Sequence, residues 1–209
     1  MKKGKFIVFE GGEGSGKDTQ IELLKKILPS DTVYAREPGS TKAGEKVREL
    51  LLDKSSVLSP KAELLLFSAA REMLMKEIVI PSVDAGKTFV LNRFYPSTFA
   101  YQIHGRKQFE LLGFLREITD SIIGEYKPDL YILLDVHPKI GLKRAGKHKK
   151  ADRFEMETLA FHERVREGYL SVMQSLKKQF SNTVVINAED SIKEVHDEVV
   201  SALKFHKII

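Results

Sequence analysis

The stretch FEGGEGSGKDTQ, Phe9 to Gln20, decides the fold. Gly11, Gly16 and Lys17 stand at the spacing G-x-x-x-x-G-K, in which glycines let backbone N–H groups approach a phosphate and the lysine reaches the outer phosphates. A short apolar run, Phe6–Phe9, precedes it and a helical pattern follows. That strand–turn–helix context suits the chemistry, because the helix N-terminus adds a positive dipole end. Gly11, Gly12, Glu13, Gly14, Ser15, Gly16, Lys17, Asp18 and Thr19 are therefore the expected nucleotide-binding residues. One position departs. A Ser or Thr hydroxyl ordinarily follows the lysine and serves Mg²⁺, but here it is Asp18, with Thr19 one place late. One helical step turns a side chain by about 100°, so Thr19 does not take over that place. Asp18 either offers Mg²⁺ a hard carboxylate oxygen or stands as an acid favoured by the helix dipole. The sequence leaves both open.

Outward from this loop, four more short runs read as strands: Thr32–Ala35, Thr88–Leu91, Leu130–Leu134 and Thr183–Ile186. Near-continuous apolar or β-branched runs suit a parallel sheet buried on both faces. Helical patterns lie between them. The first spans Lys17 to Leu28, with Ile21, Leu24 and Leu28 on one face and Pro29 as its stop. Ser59-Pro60 predicts an N-cap with proline at the first helical position, ahead of a long apolar helix through Leu64, Phe67, Ala70 and Met75. Ser191 and Glu194 predict a capping box. Such alternation implies a three-layer α/β/α domain in which ligands bind beyond the carboxyl ends of the strands. Those ends carry Glu10-Gly11, Arg36-Glu37-Pro38, Asn92-Arg93 and Asp135, so four motifs converge on one edge.

Composition narrows the classes of function. The chain has 209 residues, 42% hydrophobic and 30% charged, which predicts one domain spanning 1–209. No apolar run approaches the ~20 residues of a membrane span, and the apolar start is too short for a signal peptide. There is no cysteine, hence no disulfide and no thiol chemistry, and the expected compartment is the cytoplasm. The net charge is +5 and the pI about 9.2, which admits anionic substrates or nucleic acid. No groove-reading motif supports nucleic acid. The densest basic run, Lys143 to Arg153, is a solvated loop or a lid of about 144–154 over something anionic.

Several side chains are candidates for substrate contact. Arg36 is placed for a second anion or for a surface ion pair. Arg71 sits in an apolar helix and needs an acceptor, because arginine keeps its charge. That acceptor is a structural acid or a substrate carbonyl, with Phe67 one turn earlier able to stack on a ring. Arg93 points into the site from a strand end, and Thr98, Tyr101 and Gln102 offer polar tips near it.

The segments EGGEGSGKDTQ, REPGSTKAGEKVRELLL, ELLLFSAAR, NRFYPSTFAYQ, KPDLYILLDVHPKIGLKRA and DRFEMETLAFHERVREGYL occur in the order and spacing of the thymidylate kinases, which this chain resembles from Phe6 to about Leu170. The resemblance implies a P-loop kinase fold with a five-stranded parallel sheet and a short lid, a homodimer, ATP with Mg²⁺ as donor and dTMP as acceptor. It implies that Phe67 stacks on thymine, Arg71 bonds its O4, Thr98 meets the base edge and Tyr101 packs on the deoxyribose. It places Arg36 and Arg93 on the dTMP phosphate and Glu13 near that phosphate and the metal. Asp152, Arg153 and Glu155 match the lid motif. With Gly14 and Ser15 in the loop, and Lys147, Lys149, Lys150 and Arg153 in the lid, the chain resembles the form whose catalytic cations come from the lid. Lys17, Glu13, Arg93 and Arg153 are then the expected catalytic residues, Gln102 joins the acceptor wall, and Asp18 is the candidate metal ligand. The chain departs from the family at Asn92, where Asp usually precedes the arginine, and at Ala70, where an Asp is common. The alternatives are a kinase for another nucleoside monophosphate and a catalytically weak nucleotide-binding homologue.

Overall fold

The computed structural model describes residues 3–146, 152–180 and 182–209. Its centre is one parallel sheet of five strands, β1 (Phe6–Glu10), β2 (Val33–Arg36), β3 (Phe89–Asn92), β4 (Leu130–Asp135) and β5 (Thr183–Asn187), in the order β2-β3-β1-β4-β5. Each strand lies within a residue or so of its expected span. All five residues of β1 are buried, as a central strand covered on both faces requires. Alternate side chains serve opposite layers. Phe6, Val8, Leu91, Tyr131 and Leu133 join one core, while Ile7, Phe9, Val90, Ile132 and Leu134 join the other.

The second core is closed by α1 (Lys17–Leu24) and α9 (Ile192–Phe205), which supply Ile21, Leu24, Val195, Val199 and Leu203. Helix α1 is shorter than its sequence pattern. After Leu24 the turn tightens, with Ile27 N bonding Leu24 O, so Leu28 reaches the core from outside the helix. Ser191 caps α9, and the reciprocal bonds of its capping box with Glu194 both form.

The first core is covered by α3 (Pro60–Leu74) and α8 (Leu159–Phe180). Ser59 caps α3 with proline at its first turn, as the sequence predicts. The helix does not stop at Met75. A π-helical turn, Met75–Val79, leads into α4 (Ile80–Asp84), and this widened turn accommodates Pro81, which has no N–H to donate. A second π-helical stretch, Phe99–Gly105, extends the short α5 (Tyr95–Thr98) and presses against α8. The remaining helices are α2 (Lys42–Leu52), α6 (Leu112–Ile123) and α7 (Pro138–Ala145).

The contact between α8 and the stretch Phe99–Gly105 depends on a missing side chain. A Cβ on Gly168 would stand 2.8 Å from His104 Cβ and 2.9 Å from Ala100 Cα. Gly168→Ala must therefore push the two helices apart. It is expected to cost about 1–3 kcal/mol of stability, read as a lower urea midpoint at unchanged slope.

Candidate active site

A cleft of about 1160 Å³ runs along the carboxyl ends of the strands. A single small-molecule site occupies roughly 300–1,000 Å³, so this cleft has room for two ligands end to end. The glycine-rich loop forms its middle. Gly11 and Gly14 have positive φ, and a Cβ on Gly14 would lie 2.0 Å from Gly141 O, so the loop fits against α7 only without side chains there. Lys17 Nζ donates to Gly11 O (2.9 Å), Gly12 O (3.0 Å) and Ser15 Oγ (3.1 Å). Burial, with Arg93 nearby, lowers its pKa to about 7. Gly16 occupies the N-cap of α1 and has no side chain to cap with. Asp18 lies in the first turn, where its Oδ1 accepts a 2.7 Å hydrogen bond from Asn92 Nδ2.

Arg93 follows β3 with φ of 72°, a left-handed conformation that non-glycine residues hold only under constraint. Its backbone N–H bonds Phe9 O at 2.9 Å, which fastens the turn to the end of β1. The guanidinium then reaches over the loop to Gly11 O (3.0 Å), Tyr169 Oη (2.8 Å) and Glu13 Oε1 (3.0 Å). Tyr101 Oη donates to the same Glu13 oxygen at 2.6 Å. Burial opposes the ionisation of Glu13, but Arg93, Lys17 and this hydrogen bond together hold its pKa below the ordinary value. Glu10, fully buried beneath, accepts from Phe94 N (2.7 Å) and Ser97 Oγ (2.6 Å), and burial raises its pKa.

Behind one end of the cleft, Arg71 is 1% exposed, and the acceptor it needs is in the first place a structural acid. Its Nε and Nη2 hold Glu37, at 3.0 and 2.8 Å, and Nη2 also donates to Thr98 Oγ1 at 2.8 Å. Its Nη1 is buried and has no partner among the described residues. Glu37 is 4% exposed, and burial pushes its carboxyl up to about 7 in spite of the Arg71 donors. Phe67, Thr98, Tyr101 and Gln102 line this end, with the Phe67 ring 6.0 Å from that of Phe154. Arg36 lies at the rim in an ion pair with Glu45 (3.1 Å), beside Arg48, which is tied to Pro38 O at 3.0 Å.

Three features escaped sequence reasoning. Glu37 and Arg48 stand in the segment REPGSTKAGEKVRELLL but drew no site role from it, since the Glu37 partner, Arg71, comes from another element and the Arg48 contact to Pro38 O needs the folded turn. The opposite end of the cleft is lined by Arg144 and the segment 188–192, with Arg144 donating to Ala188 O (2.6 Å) and Glu189 O (3.2 Å). Sequence reading assigned Arg144 to the lid and Ser191 only to a helix cap. Arg153 also differs from expectation. Its guanidinium bonds Leu51 O (3.0 Å) and Glu63 (2.6 Å), not the loop, because Glu63 is 1% exposed and its charge demands cations, of which Arg106 is another. Lys147, Lys149 and Lys150 fall outside the described residues, as does the middle of the expected lid, 147–151. Among the described residues no group of three or more His, Asp and Glu side chains gathers to hold a metal unaided.

Comparison with known proteins places the chain among related ones. The family model for thymidylate kinase matches residues 9–199. A thymidylate kinase of Sulfurihydrogenibium sp. is 42% identical, covering 99% of this chain and 100% of its own. One from Thermoanaerobacter sp. is 39% identical, covering 97% and 98%. The crystal structure of thymidylate kinase from Ehrlichia chaffeensis is similar with a TM-score of 0.74 at 32% identity, over 96% of this chain and 99% of that one.

The Glu37 carboxyl generates a pH prediction. Below its ordinary value of 4.5 it is protonated in folded and unfolded chains alike. From there to about 7 only the unfolded chain has released the proton, so stability falls as pH rises. Glu37→Gln removes this component. Between pH 5 and pH 8 the stability difference between variant and parent is expected to shift in the variant's favour by up to about 3 kcal/mol, measured by urea denaturation at each pH.

Proposed function

The chain belongs to the thymidylate kinase family and transfers the γ-phosphate of ATP to dTMP, giving dTDP and ADP, and on that premise we propose how its residues divide the work. The ATP phosphates lie on the N–H groups of Gly11 to Thr19, and Lys17 exchanges the Gly11 and Gly12 oxygens for phosphate oxygens. Arg144 and the segment 188–192 flank the adenine. At the other end Phe67 stacks on thymine, Tyr101 packs on the deoxyribose, Thr98 and Gln102 face the base edge, and Arg36 and Arg93 hold the dTMP phosphate. Arg48, beside Arg36, adds a cation there.

The buried Arg71 Nη1, without a partner among the described residues, carries this reading. Arginine only donates hydrogen bonds, and a buried donor left unpaired is costly. Thymine O4 is an acceptor and would satisfy it. Cytosine presents an amino group in that place and would set a donor against a buried cation.

Phosphoryl transfer asks mainly for positioning and charge neutralisation. Arg93 is already desolvated, and the incoming phosphate takes the place of Glu13 as its counter-anion, with Glu13 remaining beside phosphate and metal. Arg153 serves the transferred group only by leaving Glu63. Mg²⁺ would neutralise the β- and γ-oxygens. The residues present fit it: Asp18 offers a hard oxygen in the cleft, and the Asn92 Oδ1 beside it is buried without a partner among the described residues. The chain acts as one catalytic domain in the cytoplasm and supplies dTDP for dTTP synthesis. It forms a homodimer through the face of α2, α3 and α6, where Leu50, Leu65 and Phe114 are exposed apolar side chains.

Three measurements test this reading. ADP formation across a panel of nucleoside monophosphates is expected to favour dTMP over dCMP by about 10⁴-fold in kcat/KM, as for a site built around one hydrogen bond, with dUMP rejected less because it keeps O4. Lys17→Ala, folded, is expected to lose about 10³-fold in kcat. Equal kcat/KM for dTMP and dCMP would refute the role of Arg71. Sedimentation is expected to give twice the 23.7 kDa chain mass, and Leu65→Lys to give the monomer. A monomeric parent would refute the dimer face.

A further inference from the structure

Asn92 ends β3 where three strands meet, in register with Phe9 of β1 and Arg36 of β2. Its backbone is therefore fixed by the sheet. Its side chain reaches α1, where Nδ2 donates to Asp18 Oδ1 at 2.7 Å. Its own Oδ1 is buried and has no partner among the described residues. Both residues line the cleft beside Lys17.

We propose that Asn92 is a positioning residue for the metal of the bound nucleotide: it holds Asp18 by one carboxylate oxygen, leaves the other for the cation, and offers its own Oδ1 to a water on that cation. The proposal rests on the reading that Asp18 serves Mg²⁺. Three physical considerations support it. A carboxylate on the first turn of a helix has rotamer freedom, and a hydrogen bond from a residue anchored in the sheet removes it. The donor is neutral. A lysine or arginine would orient Asp18 equally well but would cancel the charge that attracts a divalent ion, and a second carboxylate would repel it. The amide also carries an acceptor beside its donor. A buried acceptor without a partner is uncommon in folded chains, and a metal-bound water is a strong donor that would pair it.

The test compares ADP binding by calorimetry in Mn²⁺ and in EDTA, since the ratio of the two affinities isolates the metal's contribution. The proteins are the parent, Asp18→Ala, Asn92→Ala and the double variant. Asn92→Ala is expected to reduce the ratio about tenfold or more, the usual effect of removing an outer-shell partner. Affinity in EDTA should stay within about twofold. In the Asp18→Ala background the same substitution should matter far less, because its main target is gone. Asn92→Ser, which keeps a short donor and acceptor, should recover part of the loss, and it replaces Asn92→Ala should that variant fail to melt cooperatively. An unchanged ratio in Asn92→Ala, or an equal loss with and without Asp18, overturns the positioning role. An unchanged ratio in Asp18→Ala overturns the reading of Asp18 itself.

Discussion

A charge drawn out of water has to be held by a partner inside the fold, and this constraint shapes the whole cleft. An arginine cannot shed its charge, so each one drawn out of water needs an anion in waiting. Arg93 leans on Glu13, Arg71 on Glu37, and Arg153 on Glu63. All three glutamates are themselves largely desolvated, so each pair is an internal arrangement and not a surface salt bridge of small consequence. The acids thus do more than balance charge. They keep guanidinium groups desolvated and oriented within the fold.

The sheet makes this arrangement possible. In a parallel sheet all carboxyl ends lie along one edge, and the order β2-β3-β1-β4-β5 sets the loop after β1 between the ends of β3 and β4. Register decides the details. Phe9 stands opposite Asn92 in the β1–β3 pair, and the backbone bond from Arg93 to Phe9 turns the arginine back over the loop. Glu10, buried at the end of β1, ties down Phe94 and Ser97 and so fixes the turn from the other side. The π-helical stretch Phe99–Gly105 then carries Tyr101 and Gln102 along the wall of the cleft.

The two unusual residues, Asp18 and Asn92, show how a local departure can make sense only in three dimensions. An acid after the loop lysine brings negative charge next to phosphate, which by itself weakens a phosphate site. A neutral amide at the end of β3 removes a potential second acid from the same spot. Their hydrogen bond, across 74 residues of chain, unites both departures in one structural unit.

Local pattern determined much of this protein. The five strands, the glycine-rich loop, the caps at Ser59 and Ser191 and the convergence of four strand ends on one edge were all legible, because periodicity and turn chemistry act over a few residues. Thr98, Tyr101 and Gln102 were legible as polar tips after a strand end, and Phe67 and Arg71 as a ring and a charge one turn apart in an apolar helix, because each reading needs only a few neighbouring residues. Only the tertiary structure decided who pairs with whom. Arg71 meets Glu37 over 34 residues, Arg93 meets Glu13 over 80 and Arg153 meets Glu63 over 90. A sequence window contains the charge of each side chain but not its partner. Partners depend on strand order and on how deeply each group is drawn out of water, and both are settled only when the whole sheet has formed.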